Sequence, residues 1–459
     1  MLFNSYEFIF LFLPVTIIIF FALSGQKLRA AWLVVASIFF YGYWDFRYVA
    51  LLIFSILTNF FVGRKIFHSS TQKKSWLIAG IVFNLSLLFY FKYTGFFLNN
   101  VNAFFHQNFF VPEIILPLGI SFFTFTQTAF LVDTYRGEVE EYSFVNYCLF
   151  VTIFPHLLAG PILYHKDIIP QFKKFETSTF DAKNFSEGLA FFIAGLFKKV
   201  VVADTLSPFA NLAFSQTPEL TCADAWLGVL IYSMQLYFDF SGYSEMAIGL
   251  GRMLNLKLPQ NFNSPYQSTS IIDFWRRWHM TLAQFVSKYI YIPLGGNRNG
   301  QFAKMRNLFI SMFLMGLWHG ANWTFIFWGV SQSVLIFINH AWRELKINLP
   351  KILCWFMTFV SFLTTLVIFR ADNISLAKNF LSIMYKFQSF ELKILKDGGL
   401  EMFGMLIFAC GLAFLSKNVP TLIENFQPNL KWTFALSAAF VLALLLMVSQ
   451  ISEFLYFQF

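Results

Sequence analysis

Charged residues are scarce in this sequence. Only 12% of its 459 residues are Asp, Glu, Lys or Arg, whereas 57% are hydrophobic. Soluble globular proteins carry about 25% charged residues and avoid large exposed apolar patches. The composition therefore excludes a soluble globular fold and indicates an integral membrane protein. The 65 phenylalanines agree with this, because a helix that is apolar on all its faces is typical of a membrane span.

Cysteine is also scarce, and the common metal-site motifs are missing. The four cysteines are far apart without C-x-x-C spacing, which argues against zinc or thioredoxin-type sites and predicts no disulfides. The seven histidines form neither an H-x-x-x-H pair nor H-E-x-x-H, so we expect no metal. No Walker A or G-x-S-x-G motif occurs, which disfavours a P-loop pump and a serine hydrolase.

The net charge of +9 follows the pattern of loops in a membrane protein. Lys27 and Arg29 follow the first apolar run, and Arg64 and Lys65 follow the third, while residues 99–113 contain no Lys or Arg. Basic residues concentrate in cytoplasmic loops of membrane proteins. We therefore expect the N-terminus to face outside, the basic loops to face the cytoplasm, and no nucleic-acid partner.

Apolar runs of helical length recur along the whole chain. A membrane-spanning helix needs about 20 apolar residues, and shorter, interrupted runs are typical of re-entrant or broken helices. We predict an all-α polytopic membrane protein with about 11–13 transmembrane or re-entrant helices, forming one domain over residues 1–459. The first run lacks the features of a cleaved signal peptide. The predicted runs are residues 6–23, 30–43, 49–62, 76–98, 114–132, 144–163, 188–202, 225–240, 308–318, 323–338, 353–369, 403–415 and 432–448.

Three longer polar stretches interrupt this rhythm, at residues 164–186, 255–307 and 371–399. The third has apolar residues at helical spacing, with lysines among the polar positions. This pattern predicts a helix lying in the membrane interface. The apolar positions are Ile374, Ala377, Phe380, Leu381, Met384 and Phe387.

His319 lies in the middle of an apolar region and is flanked by Gly316 and Gly320. An ionisable residue at membrane depth is a candidate functional residue, because its burial is costly. A histidine satisfied within the core is an equally good interpretation of the residue alone. We expect the glycines to loosen or break the helix there, as in membrane binding sites.

Two further polar groups lie upstream of His319. His279 follows Arg276 and Arg277 in the run Asp273-Phe-Trp-Arg-Arg-Trp-His279. The arginines suit either a membrane-interface anchor or a phosphate-bearing ligand. Asp239 and Glu245 lie in an apolar run, where we expect structural salt bridges with Arg252 or with the arginines at 276–277.

Several of these stretches together resemble the membrane-bound O-acyltransferase superfamily, most closely its bacterial branch that O-acetylates polysaccharides. The resemblance covers nearly the whole chain. The motifs that carry it are Leu116–Phe125, Val132–Gly137, Phe154–Pro161, Asp239–Arg252, Leu258–Tyr266, Asp273–His279, Tyr291–Arg298, Gly316–Gly320 and Phe454–Phe459.

The resemblance implies a membrane acyltransferase fold around a central tunnel, with His319 as the catalytic histidine and His279 as its polar partner. The implied donor is cytoplasmic acetyl-CoA, with no permanently bound cofactor. The residues expected at the donor are Arg276, Arg277, Arg298, Arg306 and Trp318, and Trp323 is expected to wall the tunnel with Trp318.

The implied acceptor is a cell-wall or extracellular polysaccharide. Peptidoglycan is favoured, alginate systems are very close in pattern, and teichoic acid D-alanylation is more distant. The implied setting is the bacterial inner membrane, in contact with membrane lipid and a periplasmic O-acetyltransferase partner. Two other functions remain open. A secondary transporter or channel would also use broken helices and buried polar residues. A non-catalytic scaffold could simply hold the periplasmic enzyme.

Overall fold

The computed structural model describes residues 1–140, 143–215, 220–387, 389–424, 426–448 and 454–455. Every regular element in these ranges is helical, and they contain no strand. The predicted all-α fold is therefore confirmed. Residues 456–459 of the C-terminal motif lie outside the described residues.

The chain divides into two compact units. The first contains Met1–Phe192 and Glu245–Pro259, and the second contains Ile193–Ser244 and Gln260–Phe459. The single domain expected over residues 1–459 stays a prediction. The helices that begin before residue 193 are α1 (Leu13–Ala22), α2 (Gln26–Gly42), α3 (Arg47–His68), α4 (Lys73–Leu88), α5 (Thr94–Phe105), α6 (Ile120–Tyr135), α7 (Phe144–Thr152), α8 (Phe154–Leu157), α9 (His165–Lys173) and α10 (Ala182–Phe197).

Later helices carry the polar motifs found in the sequence. Short π-helical segments precede α1, α5 and α11 and follow α14, at Phe8–Phe12, Phe89–Tyr93, Lys198–Ala203 and Ser287–Tyr291. The later helices are α11 (Asp204–Ser215), α12 (Cys222–Met253), α13 (Ile271–Arg277), α14 (Met280–Val286), α15 (Gly300–His319), α16 (Trp323–Glu344), α17 (Lys351–Arg370), α18 (Ile374–Lys386), α19 (Gly399–Leu415), α20 (Val419–Glu424) and α21 (Leu430–Met447).

Six helical stretches of the described chain are long and apolar enough to cross a membrane. The protein is therefore a multi-pass membrane protein, as predicted. Helix α12 is also long, at 32 residues, or about 48 Å at 1.5 Å per residue. Asp239 and Glu245, two charged residues, lie along this helix between its ends. The six stretches are Arg47–His68, Lys73–Phe105, Trp323–Glu344, Lys351–Arg370, Lys396–Leu415 and Leu430–Met447.

In the first unit, paired polar side chains lie between tightly packed helices. Asn59 on α3 and Asn84 on α4 exchange two amide hydrogen bonds of 2.9 and 2.7 Å. Such reciprocal bonds satisfy buried polar groups where no water is available. Arg252 pairs with Glu187 at 3.0 Å. This pairing differs from the expected one of Arg252 with Asp239 or Glu245.

In the second unit, α15 and α16 cross with their backbones in contact. A Cβ atom on Gly329 would lie 2.5 Å from the carbonyl oxygen of Met312, and one on Gly316 would overlap the carbonyl oxygen of Phe325. Helix α15 continues unbroken through Gly316. The prediction that this glycine loosens the helix is therefore wrong. Its small size instead allows the close approach of two helices, as in membrane helix pairs.

Asp239 has a different cation partner from the expected arginines. Lys199 Nζ lies 2.7 Å from both Asp239 Oδ1 and Asp204 Oδ1, and all three side chains are at most 3% exposed. The backbone N–H of Leu455 also donates to Asp239 Oδ2, at 3.1 Å. The expectation of a structural ion pair was right, but the partner comes from the preceding π-helical segment.

The polar stretch 371–399 contains α18, as its periodicity predicted. Asn373 caps the helix by accepting from the Leu376 N–H at 2.9 Å, a typical N-cap arrangement. Its apolar residues Ala377, Phe380 and Met384 are buried, and the Phe380 ring stacks on Phe214 at 4.6 Å. The apolar face therefore packs on protein, and the position of this helix in the membrane interface stays a prediction.

Candidate active site

A short, capped helix delivers His279 to its position. Ser270 Oγ accepts from the Asp273 N–H at 3.1 Å and begins α13, which ends at Arg277. Trp278 is then extended, and His279 adopts a left-handed backbone conformation with φ 45°. A non-glycine residue in this region costs about 1–3 kcal/mol, and such residues cluster at functional sites.

Asn261 holds both the ring and the backbone around His279. Its Oδ1 lies 3.1 Å from His279 Nδ1 and accepts from the Thr281 N–H at 3.3 Å and the Thr281 hydroxyl at 3.0 Å. Its backbone carbonyl accepts from the Met280 N–H at 2.9 Å, and its Nδ2 donates to Ser244 Oγ at 3.2 Å. One buried asparagine therefore fixes the turn that carries His279.

This arrangement sets the tautomer of His279. The backbone N–H of Thr281 can only donate, so the Asn261 atom facing it is the oxygen, and His279 Nδ1 must donate to that oxygen. Nε2 is then the nitrogen that carries the basic lone pair. His279 is 1% exposed, lies outside the six spans, and burial lowers its pKa to about 3. Its imidazole is therefore neutral at pH 7.

His319 is the last residue of α15. Gly320 follows in an extended conformation, and a Cβ atom there would overlap the Phe325 ring. Helix α16 begins three residues later, where Asn322 Oδ1 accepts from the Thr324 N–H at 3.1 Å and Asn322 Nδ2 donates to the Asp372 carbonyl at 2.9 Å. This tight, capped turn fixes the end of the helix that presents His319.

Aromatic rings surround His319, which is 6% exposed. The ring centroids of Trp328 and Phe369 lie 5.1 and 5.3 Å from the imidazole, both in edge-to-face geometry. A cavity of about 20 Å³ opens beside them, which is room for about one water-sized group. It is lined by Leu236, Phe274, Trp275, Trp278, His319, Trp328, Phe362, Leu366 and Phe369.

Polar contacts fix Trp275 at the wall of this cavity. Trp275 Nε1 donates to Gln332 Oε1 at 3.3 Å, and Gln332 Nε2 donates to Thr365 Oγ1 at 2.8 Å. Trp275 also packs edge-on against Trp328 at 5.9 Å. The cavity wall is therefore both apolar and ordered, and it offers a water-poor environment to a reacting group.

Trp318 connects the two histidines. Its ring centroid lies 6.4 Å from that of His279 and 5.0 Å from that of His319. The structure thus brings together three residues that the sequence analysis singled out. Trp323, the other tryptophan expected at the wall, is 48% exposed and packs on Phe327. Neither Trp323 nor Trp318 is among the residues that line this cavity.

The four predicted donor-site arginines lie on three stretches of the second unit. Arg276 is exposed at the end of α13, and Arg277 next to it pairs with Asp273 at 3.0 Å. Arg298 is exposed in the loop before α15. Arg306, on the first turns of α15, is exposed and donates to Asn307 Oδ1 at 3.0 Å.

Buried Asn307 joins the stretches that carry Arg298 and Arg306. Its Nδ2 donates to the carbonyls of Leu294 and Gly296, at 3.1 and 2.9 Å. Gly295 and Gly296 have positive φ values of 105° and 56°, which glycine adopts at little cost. The glycine turn and the start of α15 therefore form one bonded substructure.

Sequence reasoning missed Asn261 as a functional residue, although it belongs to one of the quoted motifs. Its polarity between Gln260 and Phe262 was the available signal, but nothing in the sequence pairs position 261 with position 279. Trp275, Trp328 and Phe369 were missed for the same reason, since aromatic residues are common throughout this chain.

Comparison with known proteins now assigns the class. The family model described as "MBOAT, membrane-bound O-acyltransferase family" matches residues 35–376, a range that includes both histidines. The chain therefore belongs to this family and is an O-acyltransferase.

Its relatives define the branch. It is 40% identical to a peptidoglycan O-acetyltransferase of Helicobacter pylori, over 100% of this chain and 98% of the relative. It is 39% identical to a probable alginate O-acetylase of Pseudomonas putida, over the full length of both chains. A teichoic acid D-alanyltransferase of Streptococcus thermophilus is 29% identical over 51% of this chain and 59% of the relative.

Proposed function

We propose that this protein transfers acetyl groups from cytoplasmic acetyl-CoA for O-acetylation of a polysaccharide outside the cell, and we assign peptidoglycan as that polysaccharide. The observation that carries the proposal is the pair of buried histidines beside Trp318. A buried imidazole that lines an apolar cavity, as His319 does, is suited to acyl transfer in a dry site, and His279 lies on the other side of Trp318 as a second fixed imidazole.

His319 is the proposed catalytic residue, because its ring faces the cavity. As a general base, it takes the proton from the acceptor hydroxyl, whose oxygen attacks the thioester carbonyl, and the C–S bond breaks as the imidazolium returns the proton to the sulfur of the departing coenzyme A. As a nucleophile, an imidazole nitrogen attacks the same carbonyl, the C–S bond breaks to release coenzyme A, and the nitrogen carries the acetyl group until the acceptor hydroxyl takes it and gives its proton to the freed imidazole.

His279 is the proposed polar partner of the reaction. Asn261 fixes its tautomer with Nδ1 as the donor, so its Nε2 can accept a hydrogen bond. We assign Trp318 to the site because it contacts both imidazoles, and its bulk limits the access of water to the thioester.

The size of the cavity supports a short acyl donor. A volume of about 20 Å³ suits an acetyl group, after small side-chain movements, far better than a long chain. We propose that Arg298 and Arg306 bind coenzyme A phosphates, because Asn307 joins their segments and arginine pairs well with phosphate. Arg276 and Arg277 are assigned to the same role, with Arg277 exchanging its bond to Asp273 for the phosphate.

The remaining elements of the proposal are the location and the partner. We propose the bacterial inner membrane, since donor and acceptor then lie on opposite sides of one bilayer. The described helices leave little chain for a soluble transferase domain. A separate periplasmic O-acetyltransferase is therefore proposed to receive the acetyl group and pass it to the polysaccharide.

The decisive experiment measures coenzyme A release from acetyl-CoA by the purified protein in lipid. Wild type is compared with His319→Ala, with and without a periplasmic transferase added. We expect release to fall about 1,000-fold in the variant. Equal release from both proteins under both conditions would refute the catalytic assignment and support a scaffold, while ion-gradient-dependent uptake would support a transporter.

Alginate is the second candidate acceptor, because the identities to the two groups of relatives are nearly equal, at 40% for the peptidoglycan relative and 39–42% for the alginate relatives. The acceptors are separated by offering the complete system peptidoglycan fragments and mannuronate oligomers. Ester formation on peptidoglycan alone supports the proposal. Ester formation on the mannuronate oligomers alone would refute peptidoglycan as the acceptor and support alginate.

A further inference from the structure

A second pocket lies in the first unit, where α3 ends and α4 begins. Its volume is about 530 Å³, large enough for a phosphate headgroup. Three of its seven lining residues have basic side chains, and none is a carboxylate. The lining of this basic pocket consists of Phe61, Arg64, Lys65, His68, Ser69, Gln72 and Trp76.

The lining side chains are held in order. Lys65 Nζ lies 5.3 Å from the centroid of the Phe61 ring and 6.0 Å from that of Trp76, so cation–π attraction holds the ammonium group against the aromatic wall. Ser69 Oγ accepts from the Gln72 N–H at 2.9 Å, which shapes the turn between the helices. The positive charge is therefore positioned before any ligand arrives.

The pocket lies at a membrane boundary. Arg47–His68 and Lys73–Phe105 are both membrane-span candidates, so the turn that joins them lies at the level of lipid headgroups. Lys73 and Lys74 add charge on the same turn, and residues 61–76 contain no Asp or Glu. Clusters of this kind attract anionic headgroups.

An apolar stripe leads along α3 to the pocket. Phe54, Leu57 and Phe61 follow one another at helical spacing, and they are 54%, 49% and 53% exposed. A ligand seated in the pocket can thus lay hydrocarbon chains along the helix while its phosphate meets the basic residues. Free phosphate would gain nothing from such a stripe.

We propose that the basic pocket binds an anionic phospholipid. Arg64 and Lys65 contact its phosphate, because the guanidinium offers paired donors and the ammonium is already held by two rings. The acyl chains lie along the stripe of Phe54, Leu57 and Phe61. This site is separate from the residues that carry acyl transfer.

Native mass spectrometry of the purified full-length protein tests the proposal, with phosphatidylglycerol or phosphatidylcholine added to the detergent. Wild type should retain phosphatidylglycerol and not phosphatidylcholine. The double variant Arg64→Ala/Lys65→Ala should retain about tenfold less phosphatidylglycerol. The matched control is Lys166→Ala/Lys174→Ala, which removes the same charge from exposed lysines of the same unit and should behave as wild type.

Two further measurements distinguish the phosphate of a phospholipid from free inorganic phosphate as the ligand. The charge-preserving variant Arg64→Lys/Lys65→Arg should keep the preference for phosphatidylglycerol. Inorganic phosphate in large excess should leave the bound lipid in place. The proposal is overturned if the two double-alanine variants retain equal amounts of lipid, or if inorganic phosphate displaces it from wild type, which would assign the pocket to free phosphate.

Discussion

His279 and His319 are both buried and both contact Trp318, yet their other neighbours differ. Hydrogen bonds from one side chain, Asn261, hold the turn and the ring of His279. His319 is instead surrounded by the rings of Trp328 and Phe369. Directional bonds fix a tautomer, whereas packing fixes a position and excludes water. The same residue type is therefore prepared for two different tasks.

The largest expected effect is the loss of activity when a site histidine is replaced, compared with replacement of a histidine outside the site. We expect His279→Ala to lower acetyl transfer about 1,000-fold, because the reaction loses a fixed polar partner. The control is His340→Ala, on α16, where the ring lies 3.3 Å from Lys304 Nζ away from the cavity. Steady-state coenzyme A release measures both variants. Equal activities in the two would remove His279 from the reaction.

The second largest effect tests the hydrogen bonds that hold His279. Asn261→Leu removes the acceptor from His279 Nδ1 and from the Thr281 N–H, so we expect activity to fall about 100-fold. Leaving such buried donors without their acceptor should also cost about 1–3 kcal/mol of stability. Asn261→Asp retains an acceptor oxygen and should recover most of the activity. An Asp variant as inactive as the Leu variant would argue against this role of the oxygen.

The aromatic side of the comparison is tested by enlarging the cavity. Leu366→Ala removes part of its lining, and we expect the preference for propionyl-CoA over acetyl-CoA to rise about tenfold, since one methylene is worth about 10–200-fold in a shaped pocket. Leu406→Ala, on α19, removes the same atoms from a buried site outside the cavity. The ratio of kcat/KM values for the two donors is the readout. An unchanged ratio would separate this cavity from the acyl group.

The last prediction concerns the stability of the helix that presents His319, where we expect the smallest effect. Gly316→Ala places a Cβ atom against the backbone of α16, and we expect a loss of about 1–3 kcal/mol and a lower Tm. Gly411→Ala, in α19, meets no atom within 4 Å and should be neutral or slightly stabilising. Thermal unfolding in detergent compares the two. A Gly316→Ala protein as stable as wild type would contradict the close packing.

Helix positions and candidate site residues could be predicted, because both leave a pattern in the local sequence. The periodicity at 371–399 identified α18, the position of His319 in an apolar region marked it as a candidate, and His279 was marked by the arginine-containing run that it ends. The partners could not be predicted, because they are distant in sequence. Lys199 precedes Asp239 by 40 residues, and nothing in the sequence favours it over the arginines that were expected.

The same limit explains the error at Gly316. A glycine near the end of an apolar helix has the same sequence signature whether it bends the helix or lets another helix approach. Only the position of Gly329 on the neighbouring helix separates these cases. The roles of His279, His319 and the arginines remain predictions until the variants are measured.

The contact between Asp239 and Leu455 has a consequence for biosynthesis. Leu455 follows Asp239 by 216 residues, so the ribosome releases α12 into the bilayer long before this backbone N–H exists. During that interval Lys199 is the neighbour that can neutralise the carboxylate, and it emerges before Asp239 does. Because Lys199 precedes Asp239 in the chain, its ammonium group is already present when the Asp239 carboxylate enters the bilayer. The hydrogen bond from the Leu455 N–H can form only after 216 further residues have been made.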